Sequence, residues 1–213
     1  TNPIKKATDE NPSGYPVMPG KYKVTMSISS NGVLKEVAGP VEFEAKVINN
    51  VTLPAGDRSE LAAFQKKVGE LNSAVNAAIQ VSSNLKDKVG IIKTALKQTD
   101  DAPQSLTDEA NRIFDENLAL YRKLVDDEVI SSRNEPVYPS ISARVGEVVG
   151  GMWSTTSAPT ESYKQNYQIA SEEFKPILER LKRLVEVDLK NLENEMDKLN
   201  SPWTPGRVPD WKD

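Results

Sequence analysis

The chain has 213 residues, 38% of them hydrophobic, enough for one large or two small globular domains and unlike a fibrous or disordered composition. Its 27 Lys and Arg against 31 Asp and Glu leave a formal net charge of -4, without the positive field that draws proteins to phosphate backbones or anionic lipid, so nucleic acid is not an expected partner. It contains no Cys and no His, which excludes thiolate nucleophiles, Ser-His and Cys-His pairs, His-ligated metals and imidazole acid-base catalysis, and points to no cofactor. Without thiols the redox compartment stays open. The first residue is Thr1, and no stretch has the features of a signal peptide or a membrane span, so the natural start is expected upstream.

Residues 1–20, with Pro3, Pro12, Pro16 and Pro19, read as an extended arm. Alternation then sets in: Tyr22, Val24, Met26 and Ile28 fall on one face, with Lys21, Lys23, Thr25 and Ser27 on the other. Asn31-Gly32 is the favoured type I′ hairpin pair. A second run, 33–37, ends at Gly39-Pro40, and a third places Val41, Phe43, Ala45 and Val47 on one face. The expectation is a three-stranded antiparallel β-meander over 21–50. Three strands cannot close a sandwich alone, so their apolar face must be covered by the helices, by upstream sequence or by another copy.

After Pro54 the period becomes seven. Leu61, Val68, Val75, Ser82, Val89 and Leu96 form one series, and Phe64, Leu71, Ala78, Leu85 and Ile92 the other, so a helix is predicted over 57–98 with Asp57 and Glu60 as a capping box. A second helix is predicted over 105–126, capped by Ser105 with Asp108, its apolar side holding Leu106, Ala110, Ile113, Leu118, Tyr121 and Leu124. Pro136 and Pro139 make the next segment irregular. Ser140 then caps a short helix over 140–150, ended by Gly150-Gly151, with Ile141, Val145, Val148 and Met152 on one face. Pro159 opens a last helix over 159–199, its stripe running through Tyr163, Tyr167, Ala170, Phe174, Ile177, Leu181, Leu184 or Val185, Leu189, Leu192, Met196 and Leu199. Pro176 is expected to kink it. The Trp- and Pro-rich tail, 201–213, is expected to run extended and to dock Trp203 and Trp211 on the helices.

The fold class is therefore α+β, mainly α: the meander, then an antiparallel bundle of long helices over 55–200. Short connections favour a bundle within the chain over an intermolecular coiled coil, with a homodimer as the other option. Acidic clusters at Asp126-Asp127-Glu128, Glu172-Glu173 and Glu193/Glu195 read as solvated faces, since nothing places two carboxyls across a sugar and no calcium loop is present. Lys66, Lys67, Lys86, Lys88, Lys93 and Lys97, and Arg180, Lys182 and Arg183, are interspersed with acids, as on a salt-bridged surface. Asn50-Val51-Thr52 matches the N-glycosylation pattern, a short match of little weight. Tyr138, Trp153, Tyr163, Tyr167, Trp203 and Trp211 could stack on sugars, although the tyrosines lie at core-like helical spacing.

The run of residues 17–24 (VMPGKYKV), residues 42–47 (EFEAKV), residues 129–135 (VISSRNE) and residues 202–207 (PWTPGR), in this order and around a long helix starting near Asp57-Arg58, resembles the C-terminal region of bacterial sortilin-like glycosyl hydrolases with BNR repeats. The resemblance implies an upstream β-propeller holding any glycosidic site, and a fibronectin- or immunoglobulin-like β-domain of which 21–50 is an incomplete part. It also implies a periplasmic or cell-surface location. None of that family's catalytic residues has a counterpart in this chain. The expected function is a non-catalytic accessory module, structural or protein-binding, that touches the propeller or another protein through Tyr22, Val24, Met26, Ile28, Phe43, Val47, Trp203 and Trp211. A carbohydrate-binding module and a carboxylate-dependent glycosidase are the alternatives.

Overall fold

The structure, a computed structural model, describes residues 17–48, 56–126 and 138–207. It is mainly helical, with one two-stranded antiparallel sheet. The expected arm up to residue 16, the Asn50-Val51-Thr52 pattern, the 129–135 segment and Trp211 lie outside the described residues. The chain divides into two units, one of residues 1–69 with 149–160, the other of 70–148 with 161–213.

In the first unit, β1 (Gly20–Ser30) and β2 (Val33–Ala45) form a hairpin. Asn31 and Gly32 both take positive φ, 52° and 79°, as a type I′ turn requires. The expected second and third strands are one strand. Val24 faces Val41, Met26 faces Ala38 and Ser27 faces Glu36, so β2 takes in one extra residue at each step instead of turning at Gly39-Pro40. Gly39 makes this possible. Its φ is 109°, and a Cβ there would meet the Val24 carbonyl oxygen at 2.7 Å.

The helix α1 (Arg58–Lys97) starts where Asp57 accepts hydrogen bonds on Oδ1 from the Ser59 and Glu60 amides, at 2.8 and 3.2 Å. Such a cap is worth about 1 kcal/mol. In this unit Leu61 and Val68 are buried, and buried Gln65 donates from Nε2 to the Met152 carbonyl at 2.9 Å. That carbonyl ends α3 (Ile141–Trp153), which passes through Gly150-Gly151 rather than stopping there. Each glycine costs about 1 kcal/mol, and full burial of Met152 offsets this by about 1.5–3 kcal/mol. Pro159, buried, precedes the helix that starts at Glu161 instead of lying in its first turn.

In the second unit both heptad series of α1 go inward: Val75, Ala78, Ser82, Leu85, Val89, Ile92 and Leu96 are buried. The helix α2 (Gln104–Leu124) begins one residue before the expected Ser105 cap. Pro103, at φ -59° and ψ 136°, already holds the entry geometry, no side chain caps the helix, and Asp108 instead accepts from Gln104 Nε2 at 3.0 Å. Its buried side is Ala110, Ile113, Asn117, Leu120 and Leu124. Leu106, Leu118 and Tyr121, expected on that side, are only half-buried. Ser140 caps α3 as expected, accepting from the Ala143 amide at 3.2 Å, with Ile141, Val145 and Val148 buried behind it.

The expected helix over 159–199 is three segments: α4 (Glu161–Arg183), a π-turn (Leu184–Asp188) and α5 (Leu189–Lys198). α4 continues through Pro176, and its buried stripe is Ala170, Phe174, Ile177 and Leu181. A change in hydrogen-bond register follows beyond it. The apolar stripe steps five residues, from Leu184 to Leu189, and the Leu189 amide correspondingly bonds the Leu184 carbonyl. The π-turn absorbs the extra residue, so Leu192 and Met196 stay inward.

The same turn carries Asp188 to the α2 surface. Its carboxylate accepts from Arg112 at 2.8 Å, and Arg112 also bonds Glu109 and Glu116. Arg180 completes the set by donating twice to Glu116. The Arg180 guanidinium first of all, with the charge of Arg112, holds the Glu116 carboxyl below its ordinary value near 4.5, against a smaller opposing effect of burial. A folded-state pKa below the unfolded one adds stability that is complete above about 4.5 and disappears as pH falls through the depressed value. Glu116→Gln is therefore expected to flatten this part of the acid limb in urea titrations across that range. An unchanged limb would show that the cluster does not couple to folding.

Candidate functional site

The hairpin presents two unlike faces because its pairs alternate in chemistry. On one, Tyr22 opposes Phe43, Val24 opposes Val41, Met26 opposes Ala38 and Ile28 opposes Lys35. The Tyr22 and Phe43 rings stack with centroids 5.7 Å apart, and the Tyr22 hydroxyl donates to the Met18 carbonyl. On the other face Lys21 opposes Glu44 and Lys23 opposes Glu42, the latter pair joined at 3.0 Å.

The described residues of this unit cover neither face. Val24, Met26, Ile28 and Phe43 are each more than half exposed, as is Val41 beside them; Tyr22 and Val47 are half-buried, Val47 lying past the end of β2. Five large apolar side chains facing water on a two-stranded hairpin are unusual in a stable surface, since an isolated hairpin of this kind is marginal in water. The alternation in the sequence gives the β1 residues of this surface and, from β2, Val41 and Phe43, but not Ala38, because the two bulges that bring it opposite Met26 are not encoded in any alternation.

The tail is pinned differently from expectation. Ser201 and Thr204 are buried while Trp203 remains 51% exposed. Arg207 is the anchor: its side chain is almost fully buried, it donates from Nε to Asp197 at 2.8 Å and from Nη1 to the Pro202 carbonyl at 2.9 Å, and it lies 5.0 Å from the Trp203 ring centre. Gly206, at φ 93°, brings the backbone against Lys88, which pairs with Glu193 at 2.7 Å. An arginine in a Pro- and Gly-rich tail gave no sequence signal for this role. The hairpin residues and Trp203 belong to different units, so each stands as its own surface.

A cleft of about 690 Å³ lies in the second unit, walled by Leu120, Val125, Ile141 and Ile177 with Arg122, Arg144 and Glu173 among its polar groups. Asp126, at its edge, accepts from the Ser140 amide at 3.1 Å and so serves the α3 cap. Glu172 and Glu173 are solvent-exposed. Among the described residues no group of acidic side chains is arranged to hold a metal ion, and no helix is long and apolar enough to cross a membrane. No protein-family model, characterised protein or solved structure matches the chain.

Proposed function

We propose that the chain is a non-catalytic accessory module of a larger secreted bacterial protein of the BNR-repeat, sortilin-like glycosyl hydrolase type. In this reading the hairpin is part of an incomplete fibronectin- or immunoglobulin-like β-domain, and the helices form an antiparallel bundle. The observation that carries the proposal is the exposed apolar face of Val24, Met26, Ile28, Val41 and Phe43, which needs a cover that the described residues do not supply. A structural or docking role fits such a face better than catalysis, because it is apolar and without a titratable group apart from Lys35 and the Tyr22 phenol.

The test is hydrogen exchange on the β1 and β2 amides, measured in this chain and in the longer polypeptide that carries the preceding domains. Slower exchange across the hairpin in the longer protein is expected. Equal exchange in the two would remove the proposal.

A further inference from the structure

Among the described residues neither edge of the hairpin is paired with a further strand, and the two edges are chemically unequal. Each strand of a two-stranded ladder leaves half of its backbone N–H and C=O groups pointing away from its partner, and such an edge is a template for another strand. β2 is a poor template: two bulges break its repeat, at Val37 and at Gly39-Pro40, and Pro40 has no N–H to donate. β1 has neither defect. Its 11 residues contain no proline and its own repeat takes in no extra residue.

Charge separates the edges as well. β1 carries Lys21 and Lys23 and no acid, whereas β2 carries Glu36, Glu42 and Glu44 against Lys35. Glu42 is held by Lys23 and Glu44 by Lys46 at 3.3 Å, while Lys21 has no ion-pair partner among the described residues. A second copy is a poor occupant. Two β1 edges paired antiparallel about Thr25 would set Lys21 against Ser29 and Lys23 against Ser27, which offers the lysines no acid, and a β1 edge on a β2 edge would meet the bulges and Pro40.

We infer that β1 is the docking edge, and that its occupant is an extended strand from outside the described residues, apolar on the side continuing Tyr22, Val24, Met26 and Ile28 and acidic on the side facing Lys21 and Lys23. This deepens the proposed function by naming the edge and the chemistry of the strand that extends the sheet. Main-chain hydrogen bonds along β1 hold the strand, and the lysines select its charge.

The probes are a ten-residue peptide alternating valine with glutamate, and its valine-lysine counterpart, titrated into the chain and followed by amide NMR shifts. The glutamate peptide is expected to perturb β1 rather than β2, and to bind at least about tenfold more tightly than the lysine peptide. The charge-swapped variant K21E/K23E/E42K/E44K keeps opposite charges facing each other across the hairpin, so the ladder is preserved while β1 becomes acidic. It is expected to reverse the preference. Binding along β2, no binding of the glutamate peptide, or an unreversed preference would overturn the inference. If the longer polypeptide protects the hairpin through the β2 edge, this inference fails and the proposed function stands; if it leaves the hairpin unprotected, the proposed function fails and the peptide titration still decides this one.

Discussion

Deletion of Val187 is expected to leave the second unit folded, whereas deletion of Glu172 is expected to unfold it. Both residues are exposed, so side-chain burial does not distinguish them. Their helical phase does. One residue removed from a regular α-helix rotates everything beyond it by about 100°, and between residue 172 and the π-turn that rotation carries Phe174, Ile177, Leu181 and Leu184 out of the core. At about 1.5–3 kcal/mol for each buried side chain, the loss is comparable with the whole stability of a domain, about 5–15 kcal/mol. Val187 instead lies in the π-turn, where one residue is already in excess. Its removal allows the Leu184–Leu189 step to become an ordinary four-residue step, with Leu189, Leu192 and Met196 still inward, while the bond from Arg112 to Asp188 is weakened. Circular dichroism melts of the two deletion variants decide this. Similar unfolding of both would show that the turn is not a one-residue insertion.

Asn117→Ala is expected to cost about 2–4 kcal/mol in urea unfolding, although the substitution is in a helix interior where alanine has the better propensity. Asn117 and Ser82 are both fully buried and bond each other twice: the Ser82 hydroxyl donates to Asn117 Oδ1 at 2.8 Å, and Asn117 Nδ2 donates to the Ser82 carbonyl at 2.9 Å. Truncating one partner removes both bonds and leaves the buried Ser82 hydroxyl without its Asn117 acceptor. The double variant S82A/N117L replaces both partners with apolar groups and is expected to recover more than half of the loss. A cost for Asn117→Ala below about 0.5 kcal/mol, or no recovery in the double variant, would show that the pair contributes little. The paired polar groups also fix how α1 and α2 align, because sliding either helix by one turn separates them.

How much of this was readable beforehand depends on the length of the pattern. The α1 heptads extend over eleven positions, and most of those side chains are buried, with Phe64 and Leu71 half-buried at one end of the second series. Ser82 stood out as the one polar member of its series, but its partner did not. Asn117 occupies an inward position on α2 that Leu118 had been given, an error of one residue caused by treating a polar side chain as evidence of exposure. The phase slip in the last helix was visible as an ambiguity between Leu184 and Val185. What resolved it was a bond, the Leu189 amide reaching back five residues, and no propensity scale describes that choice. The reading of Gly150-Gly151 and Gly39-Pro40 as stops failed for a shared reason: both are weak local breakers, overridden where neighbouring side chains or pairing strands hold the backbone.

The amino-acid sequence by itself determined the helix-rich class, the inward stripe of α1, the Asp57 and Ser140 caps and the Asn31-Gly32 turn, because each depends on residues within a few positions of one another. It also determined, through its lack of Cys and His, which chemistries are closed to the chain. Only the tertiary structure decided the rest: that the meander is a two-stranded hairpin with unequal edges, that Asp188 meets Arg112 across helices, and that Arg207 rather than Trp203 anchors the tail. Those outcomes join residues far apart in the chain. Their energies depend on burial and on which partner is within reach, and neither is a property of the local sequence.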